Sequence, residues 1–152
     1  MNNIRRSRFN FFFHKGSLIF LPSFDKELDE KFVWPESVEY VEFKKDFNQS
    51  IDKAIWPDTI EEILFGKYFN QPIENVKWPK SLKTIIFGDR FNQPIKNVRW
   101  PDGLETVIFG KDFNRSLKSD WPKGIQIKTK ECLRDDYDDD NIDEEFDDMI
   151  KR

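Results

Sequence analysis

The stretch WPKSLKTIIFGDRFNQPIKNVR, residues 78–99, contains the features that recur along this chain. The dipeptide Trp-Pro begins at Trp34, Trp56, Trp78, Trp100 and Trp121, in steps that are equal except for the last, which is one position shorter. The dipeptide Phe-Asn begins at Phe47, Phe69, Phe91 and Phe113, always at that same full step. Because two independent dipeptides keep one period through four units, the chain contains an internal repeat of about 22 residues.

Each unit contains one short predicted strand. In residues 78–99, Ile85 and Phe87 are two positions apart and therefore share one face of that strand. The equivalent pairs are Val41 and Phe43, Ile63 and Phe65, and Val107 and Phe109. A unit of this length cannot bury a core alone, whereas stacked units can cover one another. We therefore predict a mainly β solenoid of about five coils, with a parallel strand ladder spaced by roughly 4.8 Å and short terminal caps.

Two further columns are predicted to form a structural ladder, with the phenylalanines inside the coils and the asparagines beside them. They are Phe47, Phe69, Phe91 and Phe113, and beside them Asn48, Asn70, Asn92 and Asn114. We expect the phenylalanines to stack, and each Asn amide to donate to a carbonyl of the next coil and to accept an N–H from its own turn. Gly66, Gly88 and Gly110 follow the strand phenylalanine, where a turn needs either positive φ or close backbone approach.

The repeats divide the chain into three predicted parts. Residues 1–16 form an N-terminal leader or cap, residues 17–130 the solenoid, and residues 131–152 an acidic tail. The tail contains eleven acidic and three basic residues, a net charge of −8, which leaves +4 for residues 1–130. It is interpreted as a solubilising tail, or as a segment that folds back on the basic body or mimics a polyanion. Its apolar residues are spaced for a short terminal helix: Ile142, Phe146, Met149 and Ile150.

The pattern WP-x-S-L-x-x-I-x-FG-x-x-FNQPI over residues 17–130 resembles the FNIP repeat, whose core reads FNQP here at Phe69–Pro72 and Phe91–Pro94. That family is related to leucine-rich repeats and occurs in slime moulds and giant DNA viruses of amoebae. The resemblance therefore implies a leucine-rich-repeat-like solenoid. Members often carry an F-box ahead of the repeats. The leader that precedes the first unit here, residues 1–16, is shorter than a helical F-box, so we expect none in this sequence.

The outward positions of the strands are the predicted binding surface. One column contains three consecutive apolar residues, and exposed apolar patches often mark contact sites. The residues predicted to contact a partner are Tyr40, Glu42, Glu62, Leu64, Thr84, Ile86, Thr106 and Ile108. The alternatives are that the tail or flanking loops cover this column, or that β-branched residues simply suit strands. The predicted function is a non-catalytic protein-interaction scaffold; the alternative is the substrate-recognition part of a ubiquitin-ligase adaptor with a separate F-box.

A catalytic role, such as that of a solenoid polysaccharide hydrolase, is the less favoured hypothesis. Lys83 interrupts the column of acids formed by Glu39, Glu61 and Glu105. His14 is the only histidine and lies outside the repeats, so no His-based triad or metal site is expected. The Asp-rich tail lacks the central glycine of a calcium-binding EF-hand loop. We expect no cofactor, no metal and no catalytic residue.

Nucleic acid and membrane are also unexpected as partners. Arg5, Arg6 and Arg8 lie near phenylalanines, but the pI is near 5.2 and no continuous basic stripe exists. No apolar run approaches the roughly 18 residues of a membrane-spanning helix. The single Cys132 fits a reducing compartment, so the expected location is intracellular, in the cytoplasm, or in the host cytoplasm if the protein is viral. The oligomeric state is left open.

Overall fold

A computed structural model of the protein describes residues 10–130, which form one seven-stranded sheet joined by irregular loops. The strands are β1 (Phe11–His14), β2 (Ser17–Phe20), β3 (Tyr40–Phe43), β4 (Glu62–Leu64), β5 (Thr84–Ile86), β6 (Thr106–Phe109) and β7 (Gln126–Thr129). Their spatial order is their order in the chain. The β1–β2 pair is antiparallel, and all later pairs are parallel. The predicted solenoid with a parallel ladder is confirmed.

The repeat period sets the register of the ladder. Val41 pairs with Ile63, Ile63 with Ile85, and Ile85 with Val107, so each residue lies beside its equivalent one period later. These four side chains are fully buried. Because a strand alternates its side chains between two faces, every other strand residue points into the coil and the rest point outward.

Stacked phenylalanines fill the core. The strand column contains Phe43, Phe65, Phe87 and Phe109, whose successive ring centroids lie 5.2, 5.5 and 5.5 Å apart with planes within 5° of parallel. A second column packs against the first, with Phe65 and Phe69 only 4.2 Å apart. Each aromatic side chain can bury about 150–250 Å², so the two columns supply much of the apolar surface that offsets the entropy of ordering the coils.

The glycine column allows the coils to approach. A Cβ built on Gly88 would collide with the carbonyl oxygen of Gly66, and one on Gly110 with that of Gly88. Close backbone approach, rather than positive φ, therefore explains glycine here. Positive φ occurs instead in the β1–β2 turn, where Lys15 has φ 46° and Gly16 has φ 81°. Two successive left-handed residues are typical of the type I′ turn that closes a tight hairpin.

Candidate interaction surface

The outward side chains of the ladder form two parallel rows across β3 to β6. One row contains Tyr40, Glu62, Thr84 and Thr106, and the other Glu42, Leu64, Ile86 and Ile108. The structure therefore brings all eight predicted partner-binding residues onto one face, and each is half-buried. Leu64, Ile86 and Ile108 are adjacent in the second row and are called the outer stripe below.

The ladder extends the second row at both ends. Ile19 of β2 lies beside Glu42, and Lys128 of β7 lies beside Ile108. Neither residue was among the predicted contacts. In the sequence, Leu18 and Phe20 align with Val41 and Phe43 of the next unit, so Ile19 could have been recognised as outward-pointing, because it lies between two inward positions. The outer stripe thus has an acidic residue at one end and a basic residue at the other.

Glu42 is held in place by its neighbours. Tyr40 Oη donates to Glu42 Oε2 at 3.0 Å, and Lys44 Nζ donates to Glu42 Oε1 at 3.0 Å. The side chains of Lys44 and Glu42 are only 12% and 13% exposed, so this ion pair is more shielded than an ordinary surface pair. Both carboxylate oxygens are already engaged. Glu42 therefore bounds the stripe and does not offer an unsatisfied charge to a partner.

Acidic residues line the start of the strands. Glu39, Glu61 and Glu105 are exposed, and Lys83 occupies the equivalent position between the latter two. Lys83 Nζ lies 3.0 Å from Glu61 Oε1, and this hydrogen bond, together with the charge of Glu61, raises the pKa of Lys83. Burial raises the pKa of Glu62, in the row next to this column. The edge of the face is therefore predominantly acidic.

The Phe and Asn columns follow the strand in each coil, and the rings of this Phe column pack against the strand phenylalanines. Rings of Phe47, Phe69, Phe91 and Phe113 follow one another at 6.0, 6.1 and 6.1 Å with planes within 6° of parallel. These columns form part of the scaffold, on a different side of the coil from the outer stripe.

The asparagine bonds differ in detail from the expectation. The backbone N–H of Asn70 donates to Asn48 Oδ1 at 2.9 Å, so the side-chain oxygen accepts from the next coil and not from its own turn. Asn92 repeats this bond onto Asn70 at 2.9 Å. Gln71 Nε2 donates to the Asn48 carbonyl at 3.0 Å, which gives the third residue of the FNQ motif a role that sequence reasoning missed.

The structure shows no metal-binding cluster and no membrane-spanning helix in the part of the chain it describes. Within residues 10–130, no three His, Cys, Asp or Glu side chains come together as a metal site would require. No helix in that range has the length and apolar character needed to cross a membrane. Three predicted features lie outside the described residues: the arginines at Arg5, Arg6 and Arg8, the thiol of Cys132, and the acidic tail with its proposed helix.

Comparison with known proteins identifies the repeat. The family model described as FNIP Repeat matches residues 47–90 and 69–112. Residues 47–112 of this chain therefore contain FNIP repeats. A search of curated proteins finds no match to its sequence.

A solved structure resembles this FNIP-repeat chain at 39% sequence identity and a TM-score of 0.61. It is the crystal structure of CroV588, described as a novel circular leucine-rich-repeat protein, and comes from a giant virus. The match covers 70% of the FNIP-repeat chain and 16% of CroV588. The FNIP-repeat chain therefore spans about one sixth of that protein's length. Solenoids of the FNIP and leucine-rich-repeat type are generally non-catalytic scaffolds used for protein interaction.

Proposed function

We propose that this FNIP-repeat solenoid is a non-catalytic binding module that engages a protein partner through the outer face of its strand ladder. The observation that carries the proposal is the outer stripe of Leu64, Ile86 and Ile108, three aliphatic side chains in register on adjacent strands. Polar residues would be expected to dominate a sheet face that only meets water.

The free energy available from burying the outer stripe shows that a partner must contact other residues as well. Complete burial of one aliphatic side chain contributes about 1.5–3 kcal/mol, and these three are already mostly buried, so at most about a third of that remains to be gained from each. Their sum, at most about 3 kcal/mol, is well below the roughly 8 kcal/mol of a micromolar complex. The stripe therefore needs support from neighbouring groups.

The acidic edge supplies that support. Glu39, Glu61 and Glu105 run beside the face and are exposed. Charges at the rim of an interface mainly steer association and select partners. The partner that fits this surface presents aliphatic side chains about 4.8 Å apart, or a continuous apolar ridge, with Lys or Arg beside it.

Site-specific photocrosslinking tests the proposal directly. A benzophenone amino acid is placed at Ile86, in the outer stripe, and at Asn97, an exposed residue in the same coil but away from the face. Both forms are exposed to amoebal lysate and irradiated. We expect discrete adducts from position 86 that are absent from position 97. The adduct-forming protein should then bind the purified chain.

Charge substitutions test whether the outer stripe contributes to the binding free energy. Ile86→Glu should weaken binding of the identified protein at least about tenfold, since it places a charge in an apolar contact. Asn97→Glu, which adds the same charge elsewhere on the coil, should leave binding unchanged. Circular dichroism verifies that both variants stay folded. Adducts that form equally at both positions, or at neither, would refute the proposed surface.

A further inference from the structure

The last coil leaves its apolar residues incompletely covered. Leu117 is 44% exposed, whereas Ile95, its equivalent one coil earlier, is 1% exposed. Phe113, Trp121 and Ile127 are likewise only partly buried, although the matching residues in the preceding coil are buried. Together these four residues define the C-terminal end face. The reason is geometric, because a coil in the middle of the stack is covered from both sides.

The strand edge at this end also has no partner strand within the described part of the chain. β7 pairs with β6, and no other strand among residues 10–130 pairs with it. Its alternate backbone N–H and C=O groups therefore point away from the stack. An open edge beside a half-exposed apolar face is a site for a further chain segment, and proteins normally cover such edges.

The positive charge near the C-terminal end face indicates which kind of segment would bind there. Residues 110–130 contain six basic and two acidic residues, a net of +4: Lys111, Arg115, Lys118, Lys123, Lys128 and Lys130 against Asp112 and Asp120. Residues 10–109 contain 13 basic and 16 acidic residues, a net of −3. The positive charge of the described part is thus concentrated in the last coil. A second copy of this end would bring two positive surfaces together and be repelled.

Residues 131–152 have a charge opposite to that of the last coil, and they begin next to the C-terminal end face. Their net charge is −8, and they include the apolar residues Ile142, Phe146 and Met149. They follow Lys130, which lies directly after β7 and is fixed by an ion pair of 3.0 Å from its Nζ to Asp89 Oδ1. Because this segment is tethered at the edge of the end face, its effective concentration there is high, on the order of millimolar for a short linker.

We propose that residues 131–152 dock on the C-terminal end face and act as the cap of the solenoid. In this arrangement, Ile142 and Phe146 cover the side chains of Leu117 and Trp121. The acidic residues of the segment lie along the basic last coil. The end face is then an internal docking surface, separate from the outer stripe and independent of any external partner.

Disulfide trapping in the full chain tests the contact. In a Cys132→Ser background, Phe146→Cys is combined either with Leu117→Cys, on the end face, or with Ile55→Cys, which is 66% exposed and lies three coils away. After mild oxidation, the intramolecular disulfide should form at least about tenfold faster in the first pair. Adding Ile142→Asp should remove most of this advantage, since it disrupts the apolar contact and leaves the tether unchanged. Non-reducing electrophoresis and mass spectrometry measure it.

Several outcomes would overturn the proposal. Equal rates for the two pairs would mean that the segment does not dock on this face. Disulfide-linked dimers from Leu117→Cys alone would assign the face to a second copy. Independently, Phe146→Asp should accelerate hydrogen exchange of Gln126–Thr129 several-fold and leave Glu62–Leu64 unchanged. No change in either strand would also contradict the docked cap.

Discussion

The two ends of the solenoid are finished in different ways. At the N-terminal end, β1 turns back across β2, and Phe11 packs on Phe20 with ring centroids 6.1 Å apart. Phe20 is 0% exposed beneath it, and Phe24, which packs against Phe20, is 6% exposed. At the C-terminal end, Phe113 occupies the same column as Phe24 but is only partly buried. The energetic value of a repeat residue therefore depends on whether a further layer covers it, and not only on its identity.

Truncating one phenylalanine at each end gives the largest expected difference. Phe24→Ala removes a ring that packs at a tilt against Phe20, with centroids 4.4 Å apart, and stacks on Phe47 at 5.8 Å. It should lower the free energy of unfolding by about 3–5 kcal/mol, whereas Phe113→Ala should cost less, because Phe113 is only partly buried and stacks on the Phe91 side without a further coil of the described residues beyond it. Urea denaturation followed by circular dichroism measures both. Equal losses would show that the C-terminal end is as closely packed as the N-terminal end.

An effect on stability of intermediate size is expected from the asparagine column, where an interior residue, Asn70, can be compared with the last one, Asn114. Asn70 Oδ1 accepts from the backbone N–H of Asn92 at 2.9 Å and from Gln93 Nε2 at 3.0 Å. No hydrogen bond to Asn114 Oδ1 is found within the described range. Asn70→Ala should therefore cost about 1–2 kcal/mol, and Asn114→Ala close to nothing, because only the first orphans a backbone donor. Thermal unfolding of the two variants is the measurement; a comparable loss at Asn114 would indicate that another segment continues the ladder.

The tryptophans of the Trp-Pro dipeptides differ in whether their indole N–H is hydrogen-bonded, and a smaller effect on stability is expected from this difference. Trp100 Nε1 donates to Ser119 Oγ at 2.9 Å, while the buried indole N–H groups of Trp34, Trp56 and Trp78 have no hydrogen-bond partner among residues 10–130. Ser119→Ala should destabilise the protein by about 1 kcal/mol, since it leaves the Trp100 donor unpaired. Ser116→Ala is the comparison in the same coil: it removes only an exposed bond that Ser116 Oγ accepts from the Lys118 N–H at 3.3 Å, and it should cost much less because water can replace this acceptor. If Ser119→Ala is neutral as well, the bond contributes nothing to stability.

The smallest expected effect on stability concerns Glu62. Its strand, β4, is flanked by β3 and β5, whereas a strand at the open edge has a neighbour on one side only. Burial raises its pKa above the ordinary 4.5, so the folded state binds the proton more tightly than the unfolded state. Stability from this group is therefore present at low pH and falls as pH rises through the raised pKa. Glu62→Gln should increase the unfolding free energy near pH 7 by less than about 1 kcal/mol and change nothing well below pH 4.5.

The exposed Glu105 provides the matched control for this measurement. Glu105→Gln removes one negative charge from the same side of the sheet but no half-buried carboxylate. Calorimetric melting temperatures at the two pH values separate the desolvation effect at Glu62 from a change in total charge. A gain of the same size from both substitutions would attribute the effect to net charge alone.

The repeat itself was predictable from the sequence because the same residue types recur at equivalent positions in successive units. Ile85 and Phe87 could be placed inside the coil with their three equivalent pairs, since identical residues one period apart meet when coils stack. The two phenylalanine columns and the outward position of Ile86 followed from the same period and from strand alternation. The role of Gly88 was narrowed to two possibilities, and only the structure distinguishes close approach from positive φ.

Other features depended on contacts between residues that no periodicity relates. The shielded bonds of Glu42 with Tyr40 and Lys44 and the acceptor role of Asn48 Oδ1 arise from side-chain geometry. The sequence by itself determined the period, the ladder and its inward columns, because each is repeated in every unit. Tertiary structure alone decided how the stack begins and how far its last coil is covered, because a terminal coil lacks the neighbour that makes interior units alike.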